Sequence, residues 1–315
     1  MRPIIKEIID AIPTMSHDER TIIIEKLKSI DSYDKIIDII ENHIESSHKC
    51  PYCGSNHLHK HGKSAGLERY MCQSCKRTFN ALTNTPLAGL RKKDLWLPYM
   101  QAMLDSKVLR KTRETIDINL KTAFSWRHKF SKLLYKDRPT ILSGIVEADE
   151  TYFRTSFKGN KMLDKPSHKR GAHKAAKRGL SKDQVCVLVA TDRGNHFLEF
   201  ITGLGAVNGN WLDNYFINHI STDSILITDG LKSYVHFCNV NHITHKVVKN
   251  YRTNTENNSY HIQNVNSYHS RIKSWIISVF HGVATKYLNH YLWWKHILED
   301  KAIKDSTTLF QMMIM

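Results

Sequence analysis

The chain has 315 residues, 41% hydrophobic and 24% charged, which fits two or three folded domains and excludes a disordered or collagen-like chain. No apolar run approaches the roughly 18 residues of a membrane span, and Met1–Glu7 lacks a signal-peptide core, so a cytoplasmic, nucleoid-associated protein is expected. Lys and Arg number 46 against 30 Asp and Glu, a formal charge of +16. An excess of this sign and size calls for a polyanionic partner, and nucleic acid is the commonest.

Residues 1–46 run against that charge, with six Lys and Arg against ten Asp and Glu, a net of −4 that leaves +20 for the rest. They read as three short amphipathic helices. Ile4, Ile5, Ile8, Ile9 and Ile12 recur at helical spacing, Ser16 to Glu19 has the form of a capping box, and Ile36, Ile37, Ile39, Ile40 and Ile44 mark the third helix. A small helical cap or an oligomerisation element accounts for this segment better than a catalytic role.

Over 47–84 the composition turns to Cys, Gly, His and Lys. Cys50, Cys53, Cys72 and Cys75 form two Cys-x2-Cys pairs on either side of Gly54–Met71. This is the spacing of a zinc ribbon, in which four thiolates close a tetrahedral, structural site. A disulfide framework would need an oxidising compartment. Cys186 and Cys238 sit in apolar contexts and read as small core residues.

Residues 92–135 return to helical periodicity. Trp96, Leu97, Tyr99, Met100, Met103 and Leu104 make one apolar face. A helix over 108–116, a turn at Asp117-Ile118-Asn119 and a helix from Leu120 suggest a helix-turn-helix, with Asn119 as N-cap. Its second helix offers Lys121, Thr122, Ser125, Arg127 and Lys129 to DNA, against the alternative of a solvated basic face.

Strand-like runs follow over 140–305: 144–148, 184–190, 196–201 and 224–228, then helical pattern from 262 to 300. Asp149 and Asp229 each close an apolar strand, and a carboxylate in that setting is costly unless paired or bound to a cation. Hard oxygens suit Mg²⁺, with Mn²⁺ as the alternative; a strand-end turn is the plainer reading of either Asp alone. Between 154 and 178 stand nine Lys and Arg and one acid. Lys169, Arg170, Lys174, Lys177 and Arg178 form a cationic stretch suited to phosphates, with binding that falls steeply with salt. Trp275, Tyr287, Tyr291, Trp293 and Trp294 read as core.

The phrase Glu147-Ala148-Asp149-Glu150-Thr151-Tyr152 resembles the first acidic motif of bacterial insertion-sequence transposases of the ISXO-like group, and His261 to Lys273 resembles that group's last motif. The cysteine pairs, the helix-turn-helix and Gln184 to Arg193 fall in the matching order. The resemblance covers roughly residues 48–300. It implies a multidomain α+β protein: N-terminal helices, zinc ribbon, helix-turn-helix, then an RNase H-like α/β catalytic domain of the DDE superfamily. Asp149, Asp229 and Asn266 would hold catalytic Mg²⁺, with Lys273 as trailing cation, an Asp-Asp-Asn-Lys signature. Asn266 and Lys273 are seven residues apart, two helical turns, and so share a face. The amide of Asn266 stands where many relatives place Glu; Glu147, Glu150 and Glu256 are the acids near enough in sequence to compensate. The implied activity is Mg²⁺-dependent cleavage and strand transfer of element-end duplex DNA by a homo-oligomer. The alternative is an inactive zinc-ribbon DNA-binding protein or regulator derived from such an enzyme.

Overall fold

The computed structural model describes residues 2–134, 141–161, 183–207, 209–248 and 259–314. The chain divides into two compact units, one formed by Met1–Leu133 with Lys301–Met315, the other by Leu134–Asp300.

In the first unit, α1 (Pro3–Ala11) is followed by α2 (His17–Ser47). The sequence suggests two helices over that second span; they are one of 31 residues, because no Pro or Gly interrupts 17–47. Its start is the expected capping box: Glu19 N–H donates to Ser16 Oγ at 3.2 Å and Ser16 N–H to Glu19 Oε2 at 2.7 Å. The second half of α2 buries Ile36, Ile40 and Ile44 and packs on α3 (Trp96–Leu104) and α10 (Ser306–Ile314). Leu309, Phe310 and Met313 of α10 are buried here, with the Phe310 ring edge-on to Trp96.

Three antiparallel strands, β1 (Leu58–Ser64), β2 (Leu67–Cys72) and β3 (Thr78–Phe79), lie in the order β1-β2-β3. Tyr70, Phe79 and Ile44 close a small core around Cys50 and Cys72. Two helices follow, α4 (Leu109–Ile116) and α5 (Leu120–Leu134). Asp117 takes a left-handed backbone at φ 50°, and Asn119 caps α5 as expected, its Oδ1 accepting from Lys121 N–H at 2.8 Å. Trp126 and Phe130 of α5 pack edge-on and stacked on Tyr99 of α3.

The second unit is a five-stranded mixed sheet in the order β6-β5-β4-β7-β8. Its strands are β4 (Ile145–Arg154), β5 (Gln184–Asp192), β6 (Phe197–Leu204), β7 (Ile225–Thr228) and β8 (Thr244–Val247). β4 runs antiparallel to β5 and parallel to β7, and β7 parallel to β8. Helices cover both faces. α6 (Gly209–Phe216) and α7 (Lys232–Val240) bury Leu212, Phe216 and Phe237 against Val146, Ala148 and Leu188 on one face. On the other, α8 (Gln263–Ser274) and α9 (Leu288–Glu299) bury Val265, Tyr268, Ile272 and Leu292 against Val187, Val189 and Ile227. A strand covered on both faces needs apolar residues throughout, which is why Val185 to Ala190 is an unbroken apolar run. Cys186 and Cys238 are buried in the first of these cores, as expected, and Trp275, Phe280, Tyr291 and Trp294 form an aromatic cluster. No helix among the described residues is long and apolar enough to cross a membrane.

Candidate functional site

β4 and β7 are in parallel register: Ile145 pairs with Ile225, Val146 with Leu226, and Glu147 with Ile227. The offset in residue number is the same for all three pairs, and it equals the separation of Asp149 from Asp229. Asp149 and Asp229 stand two residues beyond the last pair, Asp149 still within β4 and Asp229 just past the end of β7, close enough for the charge of Asp229 to act on Asp149. Side chains alternate along a strand, and Glu147, two positions before Asp149, turns to the start of α8, so Asp149 faces that helix.

Asp229 follows the last residue of β7 and is exposed. Its Oδ1 accepts from Leu231 N–H at 3.1 Å. Gly230 makes this turn at φ +86°, and a Cβ there would come within 2.4 Å of Val247 in β8; only glycine fits.

α8 supplies the third side of the site. His269 is buried, and its Nδ1 lies 3.8 Å from Asp149 Oδ2. Its Nε2 is buried with no hydrogen-bond partner among the described residues. Burial, with Lys273 adding to it, pushes His269 down to about 3, so at neutral pH the imidazole is uncharged and the contact with Asp149 is not an ion pair. Lys273 is one turn further on and is held below the usual lysine range by burial, with Asp149 opposing. Asn266, half-buried, lies one turn before His269 and two before Lys273.

Burial pushes Asp149 up to about 6, with the charge of Asp229 adding and a backbone N–H and Lys273 opposing. Two carboxylates converging under partial burial repel, and a divalent cation removes that repulsion. Carboxylate oxygens of this kind suit a hard cation that keeps several waters.

Of the three acids expected to compensate Asn266, the two described ones, Glu147 and Glu150, are held by other partners. Glu147 is buried and turned to the start of α8. It accepts from Asn264 N–H at 2.8 Å and Val265 N–H at 3.2 Å, and Arg193 Nη1 approaches its Oε1 at 2.7 Å. Its oxygens are occupied as a helix cap. Glu150 points to the opposite face of β4 and accepts from the Tyr234 hydroxyl at 2.6 Å. Burial pushes it up to about 7, against the Tyr234 bond, with Asp149 and Asp229 adding. Glu256 lies outside the described residues.

In the first unit the four cysteines come together as the spacing requires. Their sulfurs all lie within 4.8 Å of one another, with Cys50 to Cys75 at 3.7 Å and Cys53 to Cys72 at 3.6 Å. Four sulfurs about 2.3 Å from a tetrahedral metal stand about 3.8 Å apart. Backbone N–H groups of Cys75 and Ser74 draw Cys72 down to about 6. Cys53, although Ser55 N–H favours its thiolate, is pushed up to about 12 by desolvation and the neighbouring thiols. Four thiols this close cannot all ionise without a cation. Among the described residues this is the one cluster of three or more Cys, His, Asp or Glu with metal-ligand spacing.

Of the residues expected to meet DNA, Lys121 and Ser125 are exposed on α5, and Thr122 and Lys129 are half-buried on it. Arg127 is a correction. It is 1% exposed, and its Nη2 donates to Lys107 O at 2.7 Å and Thr112 Oγ1 at 3.3 Å. It fastens α5 to the start of α4 and cannot reach a duplex. Lys169, Arg170, Lys174, Lys177 and Arg178 lie outside the described residues. Sequence reasoning missed His269, the Tyr234 partner of Glu150, and Gly230. Only Gly230, following an Asp at a strand end, carried a signal that could have been read.

Residues 141–293 match the ISXO2-like transposase domain, a DDE transposase domain. The match and the relative that follows support an insertion-sequence transposase of the ISXO2-like group. It is 28% identical over 247 residues to a protein of Halobacterium salinarum described as an uncharacterized protein in transposable element ISH50, covering 77% of this chain and 82% of that one.

Proposed function

We propose that the chain is a transposase that binds the duplex ends of its element and catalyses strand cleavage and strand transfer by in-line phosphoryl transfer. The observation that carries this reading is the parallel pairing of β4 with β7, beyond which Asp229 comes close enough for its charge to act on Asp149. In this reading Asp149, Asp229 and Asn266 hold Mg²⁺, or Mn²⁺ in its place, and the mixed sheet is an RNase H-like core. When bound, such cations activate a water or a DNA 3′-hydroxyl and stabilise the leaving oxygen.

The chain's own residues do the rest. Asp229 is placed by the Gly230 turn, and Asp149 by the paired interior of β4. Lys273 projects its ammonium toward Asp149 and contacts a phosphate flanking the scissile one. Neutral His269 fills the space between α8 and Asp149, keeping bulk water from the buried side of the carboxylate. The four cysteines hold a structural zinc, and Lys121, Thr122, Ser125 and Lys129 present α5 to the major groove. The basic stretch that contains Lys169 to Arg178 adds phosphate contacts.

The test is cleavage and joining of a duplex carrying the element's terminal repeat, with Mg²⁺, for the wild type and for Asp149→Asn and Asp229→Asn. The expected result is a loss of at least about a thousandfold in each variant, with retained binding of the same duplex. Full activity in either variant sinks the reading. A wild type that binds the duplex and never cuts it establishes the inactive regulator instead, the outcome that the neutral amide of Asn266 favours.

A further inference from the structure

The most exposed aromatic ring among the described residues is that of Phe157, at 62%, on the turn that leaves β4. Its backbone is firmly held. Ser156 N–H donates to Thr285 Oγ1 at 2.8 Å, and Thr285 N–H returns a bond to Ser156 O at 2.9 Å. Lys158 Nζ donates to the carbonyls of Phe280 at 3.1 Å and Gly282 at 3.0 Å. Asn160 N–H donates to Phe157 O at 2.9 Å, closing a turn whose third residue, Gly159, has φ +82°, as a type II turn requires. A ring kept in water on so fixed a backbone has its ordering cost already met, which favours binding of a flat partner. The surroundings are cationic. Residues 154–161 hold Arg154, Lys158 and Lys161, residues 275–287 hold Lys286, and neither stretch contains an Asp or Glu. Arg154, Lys161 and Lys286 are exposed.

We infer that Phe157 is a base-stacking residue, whose ring receives an unpaired nucleobase of the DNA strand held at the acidic site. The inference rests on the reading of the chain as an enzyme acting on DNA. A polyanion with flat apolar bases is the partner that matches an exposed ring set among cations. Lys158, tied to two carbonyls, positions the ring, while Arg154, Lys161 and Lys286 are left for the flanking phosphates. The reach is short enough. Five residues of strand carry β4 about 16 Å from Asp149 to Arg154, and three more residues add at most about 11 Å. Phe157 therefore lies within about 27 Å of Asp149, roughly eight steps along one strand of a duplex. A base must leave its stack to meet the ring, and this costs least where the base is already unpaired. An opened or newly cut strand end offers such a base.

The test is fluorescence anisotropy of a labelled oligothymidylate and of a labelled blunt duplex, titrated with the full chain in the absence of Mg²⁺. Phe157→Ala is expected to weaken oligothymidylate binding about tenfold, the loss of one stacked base, with an unchanged salt slope because no charge is removed. Phe157→Leu is expected to behave as Phe157→Ala, and Phe157→Trp to bind as the wild type, since a flat face rather than apolar volume is what the base meets. Binding of the paired duplex is expected to change less than about twofold in all three. An Ala or Leu variant that binds oligothymidylate as the wild type does overturns the inference, and so does an equal loss on single strand and duplex. Sedimentation of the DNA-free chain as a larger species than Phe157→Ala overturns it as well, because the ring then sits between copies. A wild type that cleaves its element duplex with Mg²⁺ but does not bind oligothymidylate overturns this inference alone; one that binds neither DNA removes the transposase reading with it.

Discussion

Arg127 and Lys129 show how much a single position on a helix decides. Two positions apart on α5, they point to nearly opposite sides of its axis. Arg127 is swallowed between helices, whereas Lys129 stays at the edge. Removing Arg127 leaves the Lys107 carbonyl and the Thr112 hydroxyl without their buried donor. Arg127→Ala is therefore expected to cost about 3 kcal/mol in urea unfolding. Lys129→Ala is expected to leave stability within about 0.5 kcal/mol and, if α5 meets phosphate, to lower the salt slope of duplex binding by about one. The idea fails if the two variants have equal stability.

At the scale of elements, the contact that orients α8 is Glu147. A buried carboxylate is expensive alone, but here the first N–H groups of a helix and Arg193 converge on it, so the helix end and the charge satisfy each other. Because Asn266, His269 and Lys273 all ride on α8, this cap fixes the third wall of the site from the strand that also carries Asp149. Glu147→Leu removes the helix cap and the carboxylate that Arg193 pairs with, although Arg193 keeps the Ser259 carbonyl, an expected loss of about 3 kcal/mol. Hydrogen exchange of 263–268 should rise more than that of β5. Equal protection in both proteins would show that α8 is positioned by its apolar face alone.

For the whole molecule, the acidic site is a source of instability that depends on pH. Asp149 and Glu150 are raised to about 6 and about 7 from ordinary values of 3.8 and 4.5, chiefly by burial. The folded state thus binds protons more tightly than the unfolded chain. The stabilisation is full below about pH 4 and is lost as pH rises through 6 and 7. Glu150→Gln removes its share, so calorimetry of the metal-free protein should show the variant gaining on the wild type between about pH 5 and pH 8, by up to about 3 kcal/mol. A constant difference across that range would contradict the assignment.

How far the residues alone carry this description depends on whether a feature is local. The four cysteines are legible because metal coordination imposes fixed short spacings, and the β5 run because a doubly covered strand needs apolar residues in succession. Asn119 and the Ser16 capping box are legible because capping joins residues three or fewer apart. The continuity of α2 is not: a change in hydrophobic face looks like a break, yet the backbone has none. The short elements α6, α7 and β8 escape notice because each is held by packing rather than by its own pattern. The C-terminal helix α10, distant in sequence from its partners α2 and α3, is placed only by the folded chain. The same holds at the acidic site. That an Asp follows each of two apolar runs is a property of the sequence, but their approach depends on a parallel register between strands far apart in the chain, and Asp149 proves to lie inside β4 rather than at its end. That Glu147 caps a helix, while Asp149 two positions on faces the site, depends on where α8 begins above the sheet. Local rules follow from the geometry of neighbouring bonds; these assignments follow from long-range pairing, which no short stretch of sequence contains.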